Sequence, residues 1–273
     1  MFIVDLPEIY KASFATVAEI DQLTEYLCYL RRWRPRYTGT MRLYLGHLGP
    51  IPLFVHWSAL LLVLLCWMWA PDHSAQGIGP AVSILTLLTC LVTAIVIHEF
   101  GHGIVAKWCG ASGISITIWA LGGVCTSQRN LRPSRELMIL AAGPAVNFLC
   151  AGLVVAADLG LNAWSPAWLT GQTAVWVGLW LQAAFLVNLT LGIFNLLPIF
   201  PLDGGQMAFN SMLLVTRRVR LAALVTFVLA VITAAAWLGF LHFFSRGGVD
   251  AWDVLLVVLL LQGAWGLVST ARD

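Results

Sequence analysis

Long apolar stretches separated by short polar segments dominate this sequence. Six stretches approach or exceed the roughly 20 residues that a helix needs to cross the hydrocarbon core of a bilayer. We predict six transmembrane helices, at Ile51–Ala70, Ala81–Trp108, Leu137–Ala157, Val175–Leu197, Leu221–Phe244 and Trp252–Val268. The pattern therefore predicts an all-α polytopic membrane protein.

In the segment between the second and third predicted spans, apolar residues recur at every second position. In "GISITIWALGGVCTS", isoleucines at 114, 116 and 118 alternate with Ser115, Thr117 and Trp119 before Gly122–Gly123. Alternation followed by a glycine pair predicts a short β-hairpin on the cytoplasmic side. Its edge strand is suited to pairing with an unwound peptide, or the hairpin simply caps the helix bundle.

The first forty residues form a separate N-terminal segment ahead of a six-span core at 41–273. Their apolar residues recur every three or four positions between charged ones, which predicts an amphipathic helix on the membrane or over the core. A loosely held extension is an equally acceptable interpretation. The apolar positions are Leu6, Ile9, Tyr10, Phe14, Val17, Ile20, Leu23, Leu27 and Leu30.

Composition and charge agree with a membrane protein. Of the 273 residues, 60% are hydrophobic and 10% are charged, whereas a soluble domain has about 25% charged residues. With six spans, fourteen of the fifteen lysines and arginines fall on one side, and Arg246 falls on the other. Because basic loops stay in the cytoplasm, both termini are predicted to be cytoplasmic.

Three polar residues interrupt the second span. In "IVIHEFGHGIVAKW", His98 and His102 are four residues apart and share one helix face, while Glu99 lies beside them. The H-E-x-x-H spacing is typical of a zinc site in which the glutamate is the general base. Buried His and Glu also serve as hydrogen-bond partners between helices, but three on one turn would be an expensive way to pack a bundle.

Two histidines leave a catalytic zinc site incomplete, because such sites usually have three protein ligands. Asp203 in "FNLLPIFPLDGG" (194–205) is the best third candidate, since the second and fourth spans both run inward and end on the same side. His56, beside Trp57, is better interpreted as an interfacial residue than as a ligand.

These motifs resemble those of the site-2 proteases, which are intramembrane zinc metalloproteases. The resemblance rests on "HEFGH" (98–102), "AAGPAVNF" (141–148) and "FNLLPIFPLDGG". It implies zinc ligands His98, His102 and Asp203, and catalytic Glu99. It also implies supporting roles for Asn147 and Asn195, although hydrogen bonds between helices explain these two equally well. No PDZ-type insertion or CBS pair is recognisable, so regulation by such modules is not expected.

We therefore expect a zinc-dependent endopeptidase that cleaves a membrane protein with one span, in or beside the bilayer. The expected location is the bacterial inner membrane, with the lipid bilayer as a partner and no nucleic acid. A metal transporter would also place His and Asp in the membrane, but it needs polar groups along a full path. A catalytically silent scaffold would be expected to have lost Glu99 or a ligand.

Overall fold

The computed structural model describes residues 42–120, 122–128, 132–244 and 248–271. The predicted segment at 1–40 lies outside these residues. The described chain divides into two compact units. The N-terminal unit takes its residues from Gly39–Leu131 and Met138–Asn195, and the C-terminal unit takes its residues from Arg132–Leu137 and Leu196–Asp273.

A small β-sheet belongs to the N-terminal unit. Its four described strands are β1 (Arg42–Leu48), β2 (Ile51–His56), β3 (Ser112–Trp119) and β4 (Gly122–Gln128), in that spatial order. The strand pairs β1–β2 and β3–β4 are antiparallel, whereas β2 and β3 run parallel. A hairpin was predicted at β3–β4, but the other two strands were not.

The prediction of a transmembrane helix over Ile51–Ala70 is wrong. This stretch begins as strand β2, continues through a 3₁₀ turn at Trp57–Ala59, and ends as the short helix α1 (Leu60–Trp69). Hydropathy measures apolar character, and an apolar run that includes Pro52 and β-branched residues suits a buried strand as well as a helix. The pairing of β2 with both β1 and β3 decides between them, and it depends on residues distant in sequence.

Helix α2 (Pro80–Trp108) runs beside α1 and the sheet. Leu62 of α1, Ile95 of α2 and Ile118 of β3 form one buried apolar cluster. Farther along, Gly103 of α2 lies against Ile51 at the start of β2. The continuous segment β2–α1 therefore accompanies α2 in the opposite direction.

Two more helices contribute to the N-terminal unit: α3 (Pro133–Trp164), from Met138 onward, and α4 (Gly171–Asn195). Helix α4 packs against α2. Pro144 lies inside α3, where it lacks the amide hydrogen that would bond to the Leu140 carbonyl. Helix α3 thus lacks one backbone hydrogen bond in its middle.

The C-terminal unit contains α5 (Asp203–Thr216), α6 (Val219–Phe244) and α7 (Ala251–Thr270). Helix α6 packs against both α5 and α7. Small side chains in this core let helix backbones approach closely, as in other membrane bundles; they are Ala222, Ala223, Ala230 and Ala264. Helix α5 was not predicted, because its 14 residues are too few for a span.

Five of the described helices are long and apolar enough to cross a membrane: α2, α3, α4, α6 and α7. Each coincides with one of the predicted spans. Many of their large apolar side chains are exposed, including Leu85, Leu153, Ile193 and Ile232. Lipid is the environment that suits such surfaces.

Candidate metal centre

Helix α2 presents two different functional faces at His98–Gly103. His98 and His102 share the face toward α3, while Glu99 and Gly103 share the face toward the sheet. Their exposed fractions are 4% for His98, 8% for Glu99 and 6% for His102. A rotation of about 100° per residue separates the two faces, so one helical turn supplies both.

Glycines allow α3 to approach the histidine face. A Cβ added at Gly101 would lie 2.9 Å from the carbonyl oxygen of Ala142, and one at Gly143 would lie 2.3 Å from His102 Nε2 and 2.7 Å from His98 Nε2. All three separations are too short for a real Cβ contact. The two imidazole rings therefore occupy the space that any larger residue at 143 would need.

Each imidazole ring is oriented by a hydrogen bond from its Nδ1. His98 Nδ1–H donates to Asn147 Oδ1 at 2.5 Å, and His102 Nδ1–H donates to the backbone carbonyl of Ile139 at 2.6 Å. Carbonyl oxygens only accept, so each Nδ1 carries a proton, and in the neutral form of each ring Nε2 then carries a lone pair. A neutral imidazole of this kind is the form that binds metal ions.

The two Nε2 atoms converge on one point. They are 3.1 Å apart, with the ring planes inclined at 83°. Two histidine nitrogens on one tetrahedral zinc, each about 2.0–2.1 Å from the ion, lie roughly 3.3 Å apart. The chemistry and spacing of this donor pair therefore fit zinc.

The sheet determines the space around Glu99. A Cβ at Gly123 of β4 would lie 2.4 Å from Glu99 Cγ and 2.8 Å from Glu99 Oε1. Gly103 likewise leaves room for the Ile51 side chain, whose Cδ1 would be 2.7 Å from an added Cβ. Edge strand β4 thus passes directly beside the carboxylate of Glu99.

Asn147 is completely buried. Its Oδ1 accepts from His98, and its Nδ2 donates to Asn188 Oδ1 at 3.0 Å and lies 3.4 Å from the Ala94 carbonyl. Its side chain therefore connects α3 with both α2 and α4, and it orients the ring of His98.

Asn195, the second asparagine proposed from the sequence, has a different environment. It ends α4, is partly buried, and donates from Nδ2 to the carbonyl of Leu191 in its own helix at 3.0 Å. His56 caps the 3₁₀ turn, with its Nδ1 2.7 Å from Ser58 Oγ.

Asp203 belongs to the C-terminal unit, where it is the first residue of α5 and is 8% exposed. The N-terminal end of a helix carries partial positive charge, which favours an ionised carboxylate there. A Cβ at Gly204 would lie 2.1 Å from the Leu196 carbonyl oxygen, and one at Gly205 would lie 2.3 Å from the Ile199 carbonyl carbon. The two glycines therefore let the start of α5 pack against the preceding turn.

Sequence reasoning missed three residues around this site. Gly123 leaves room for the side chain of Glu99, and Gly143 leaves room for the two imidazole rings. Asn188 accepts a hydrogen bond from Asn147. Asn188 had a detectable signal, since it is an amide side chain in the middle of an apolar span. The two glycines lie in segments that the sequence analysis quoted, but their contacts with Glu99 and the histidines depend on which elements become neighbours.

Comparisons with known proteins point to a family of peptidases. The family model described as peptidase family M50 matches residues 86–163 and 163–238. The chain is 33% identical over 171 residues to Rip3 of Mycobacterium tuberculosis, provisionally named a zinc metalloprotease, covering 60% of this chain and 42% of that protein. It is 30% identical over 240 residues to sll0528 of Synechocystis sp., also provisionally named a zinc metalloprotease, covering 84% of this chain and 59% of that protein.

The fold is also similar to a solved structure. The site-2 protease from Methanocaldococcus jannaschii superposes with a TM-score of 0.52 at 20% sequence identity, over 85% of this chain and 96% of that chain. The chain spans about two-fifths to three-fifths of the length of the two curated relatives above. The predicted resemblance to site-2 proteases is confirmed. Because the family model matches more than half of its residues, this integral, multi-pass membrane protein belongs to peptidase family M50.

Proposed function

We propose that this protein is a zinc-dependent endopeptidase that hydrolyses peptide bonds within or beside the bilayer. The observation that carries the proposal is the buried pair of His98 and His102, whose Nε2 atoms converge at 3.1 Å with both Nδ1 protons already donated. Two imidazole nitrogens that converge inside an apolar bundle form a donor pair suited to a divalent cation. Glu99, on the adjacent face of the same helical turn, supplies an acid–base group.

We assign Asp203 as the third ligand. Its buried position at the start of α5 supports an ionised carboxylate, and the "PLDGG" context matches the late motif of the site-2 proteases. A carboxylate with two neutral imidazoles would leave a zinc ion with one net positive charge and a position for water.

Zinc, when bound, acts as a Lewis acid and lowers the pKa of a bound water molecule to about 7. Glu99 takes a proton from the attacking water, whose oxygen bonds to the scissile carbonyl carbon. As the C–N bond breaks, Glu99 transfers that proton to the leaving amine. Gly123 allows the Glu99 carboxylate to lie against β4 during these transfers.

Edge strand β4 is a suitable place for the substrate. A helical transmembrane segment hides its amide bonds, so it must unwind before hydrolysis. An unwound segment can pair with the backbone of β4, which passes beside Glu99. We propose a membrane protein with one span as the substrate. In this assignment Asn147 orients His98, and Asn195 supports the substrate region.

A membrane crossing between Arg42 and Pro80 is also proposed, giving six crossings with cytoplasmic termini. Strand β2 covers about 20 Å at roughly 3.3 Å per residue, and the 3₁₀ turn and α1 add about 20 Å more. Together they match the roughly 43 Å of α2, beside which they run in the opposite direction. The strand and the short helix therefore replace the predicted helical span.

This topology predicts which sites face the same side of the membrane. In a cysteine-free background, Pro50→Cys and Lys107→Cys should react with an impermeant thiol reagent from the cytoplasmic side, and Ser74→Cys from the opposite side. All three original residues are exposed. Labelling of Pro50→Cys and Ser74→Cys from the same side would contradict a crossing between them.

The chemistry predicts that Glu99→Gln retains zinc but loses cleavage. The variant keeps both imidazoles but removes the group that accepts the water proton, so cleavage should fall by about 10²- to 10⁴-fold. Zinc content by elemental analysis and cleavage of a one-span substrate in proteoliposomes measure the two effects. His98→Ala should lose both properties. Cleavage by Glu99→Gln at the wild-type rate would disprove the mechanism, and loss of zinc would make Glu99 a ligand.

The ligand assignment predicts that Asp203→Ala weakens zinc binding. Removing a ligand should cost more than the roughly 10- to 100-fold that follows when a residue that only orients a ligand is removed. The measurement is competition for zinc against a chelator of known affinity. Asp158→Ala, an exposed acidic residue of α3, is the matched control and should bind zinc like the wild type. Wild-type affinity in Asp203→Ala would exclude Asp203 as a ligand.

The packing predicts that Gly143→Ala damages the metal centre. The added methyl group would collide with both Nε2 atoms, so the rings or α3 must move and zinc affinity should fall by at least about tenfold. Gly152→Ala is the control on the same helix, because its Cβ would have no heavy atom within 4 Å. Equal chelator competition curves for the two variants would show that the rings do not need this space.

A further inference from the structure

The hydrogen bonds that orient His98 continue into helix α4. Asn188, which is buried in the middle of α4, donates from Nδ2 to the carbonyl of Ala184 at 2.8 Å. Its Oδ1 accepts from Asn147 Nδ2 at 3.0 Å, and Asn147 Oδ1 accepts from His98 Nδ1–H. Three side chains on three different helices thus form one chain of hydrogen bonds.

The donor and acceptor roles in this series of hydrogen bonds are fixed by its last acceptor, the carbonyl of Ala184. The Ala184 carbonyl can only accept, so the Asn188 amide must turn its Nδ2 toward it and its Oδ1 toward Asn147. Asn147 must then turn its own Nδ2 toward Asn188, which leaves its Oδ1 for His98. An oxygen at that position requires the proton of His98 to be on Nδ1.

We propose that Asn188 is a positioning residue that fixes the tautomer of His98 through Asn147, so that the Nε2 lone pair is available for zinc. Without the acceptor on Asn188, the orientation of the Asn147 amide depends only on the longer 3.4 Å contact between its Nδ2 and the Ala94 carbonyl. A flipped amide would present Nδ2 to His98, which favours the wrong tautomer with the proton on Nε2. The inference rests on the proposed zinc site and assigns Asn188 no contact with the metal or the substrate.

A merely structural role is the competing explanation, because interhelical hydrogen bonds stabilise membrane bundles by about 1 kcal/mol. The two roles differ in their consequences. A structural bond affects the stability of the bundle, whereas a positioning bond affects the tautomer of one histidine and the affinity of zinc. The location of the His98 proton in the metal-free protein is therefore the most direct measurement.

The experiment uses the full chain in detergent, with histidines labelled with ¹⁵N and metal removed by a chelator. Two-bond ¹H–¹⁵N correlation spectra report which ring nitrogen carries the proton, and a His98→Gln spectrum assigns the signal among the six histidines. Wild-type His98 should be in the Nδ1–H form. Asn188→Leu should give a mixture of tautomers and lower zinc affinity about tenfold, at the lower end of such effects.

Matched variants separate positioning from stability. Protonated in this apolar environment, the Asp of Asn188→Asp keeps an oxygen that accepts from Asn147 and an O–H that donates to Ala184, so it should retain the wild-type tautomer and affinity. Thr226→Val removes a buried hydroxyl that bonds to its own helix at Ala222, and it should change neither property. Should Asn188→Leu not fold, Asn188→Ala removes the same acceptor with a smaller side chain.

A double variant tests whether Asn188 acts through Asn147. Asn147→Leu combined with Asn188→Leu should bind zinc as weakly as Asn147→Leu by itself, because the connection is already broken. Full additivity, or a wild-type tautomer in Asn188→Leu, would overturn the proposal. A wild-type protein that binds no zinc would instead overturn the proposed function, so the two failures are distinguishable.

Discussion

The proposed metal centre depends on hydrogen-bond acceptors for two imidazole N–H groups inside an apolar bundle. A buried donor without a partner costs about 1–3 kcal/mol, and here both acceptors come from α3, as the Ile139 carbonyl and the Asn147 side chain. These bonds require α3 to lie against the histidine face of α2. Gly101 and Gly143 remove the side chains that would prevent it.

The proposed zinc ligands and the proposed base are supported by different parts of the fold. Helix α3 holds the rings of His98 and His102, whereas strand β4 limits the space around Glu99. One turn of α2 serves both purposes because adjacent residues point about 100° apart. The sheet therefore positions the proposed base beside a strand edge that suits an extended substrate.

The sequence predicted the apolar helices and the H-E-x-x-H pair because both depend on local spacing. Five predicted spans coincide with helices, but Ile51–Ala70 does not, since its strand is stabilised by pairing with β1 and β3. Helix α5 was missed because it is short. The role of Gly143 and the bond between Asn147 and Asn188 depend on which helices become neighbours, and spacing along one helix carries no such information.

The least regular part of α3 is the part that builds the site. In an ordinary helix interior, glycine costs about 1 kcal/mol and proline about 3 kcal/mol relative to alanine, and Gly143–Pro144 places both together. Gly143 makes room for the imidazoles, and Pro144 leaves the Leu140 carbonyl without the backbone amide that would donate to it. Neighbouring helices tolerate such breaks in a membrane by supplying partners for the exposed backbone groups. The His102 ring donates to the carbonyl of Ile139, one residue earlier, so α3 contacts the proposed zinc ligands beside the turn in which its own backbone hydrogen bonding is incomplete.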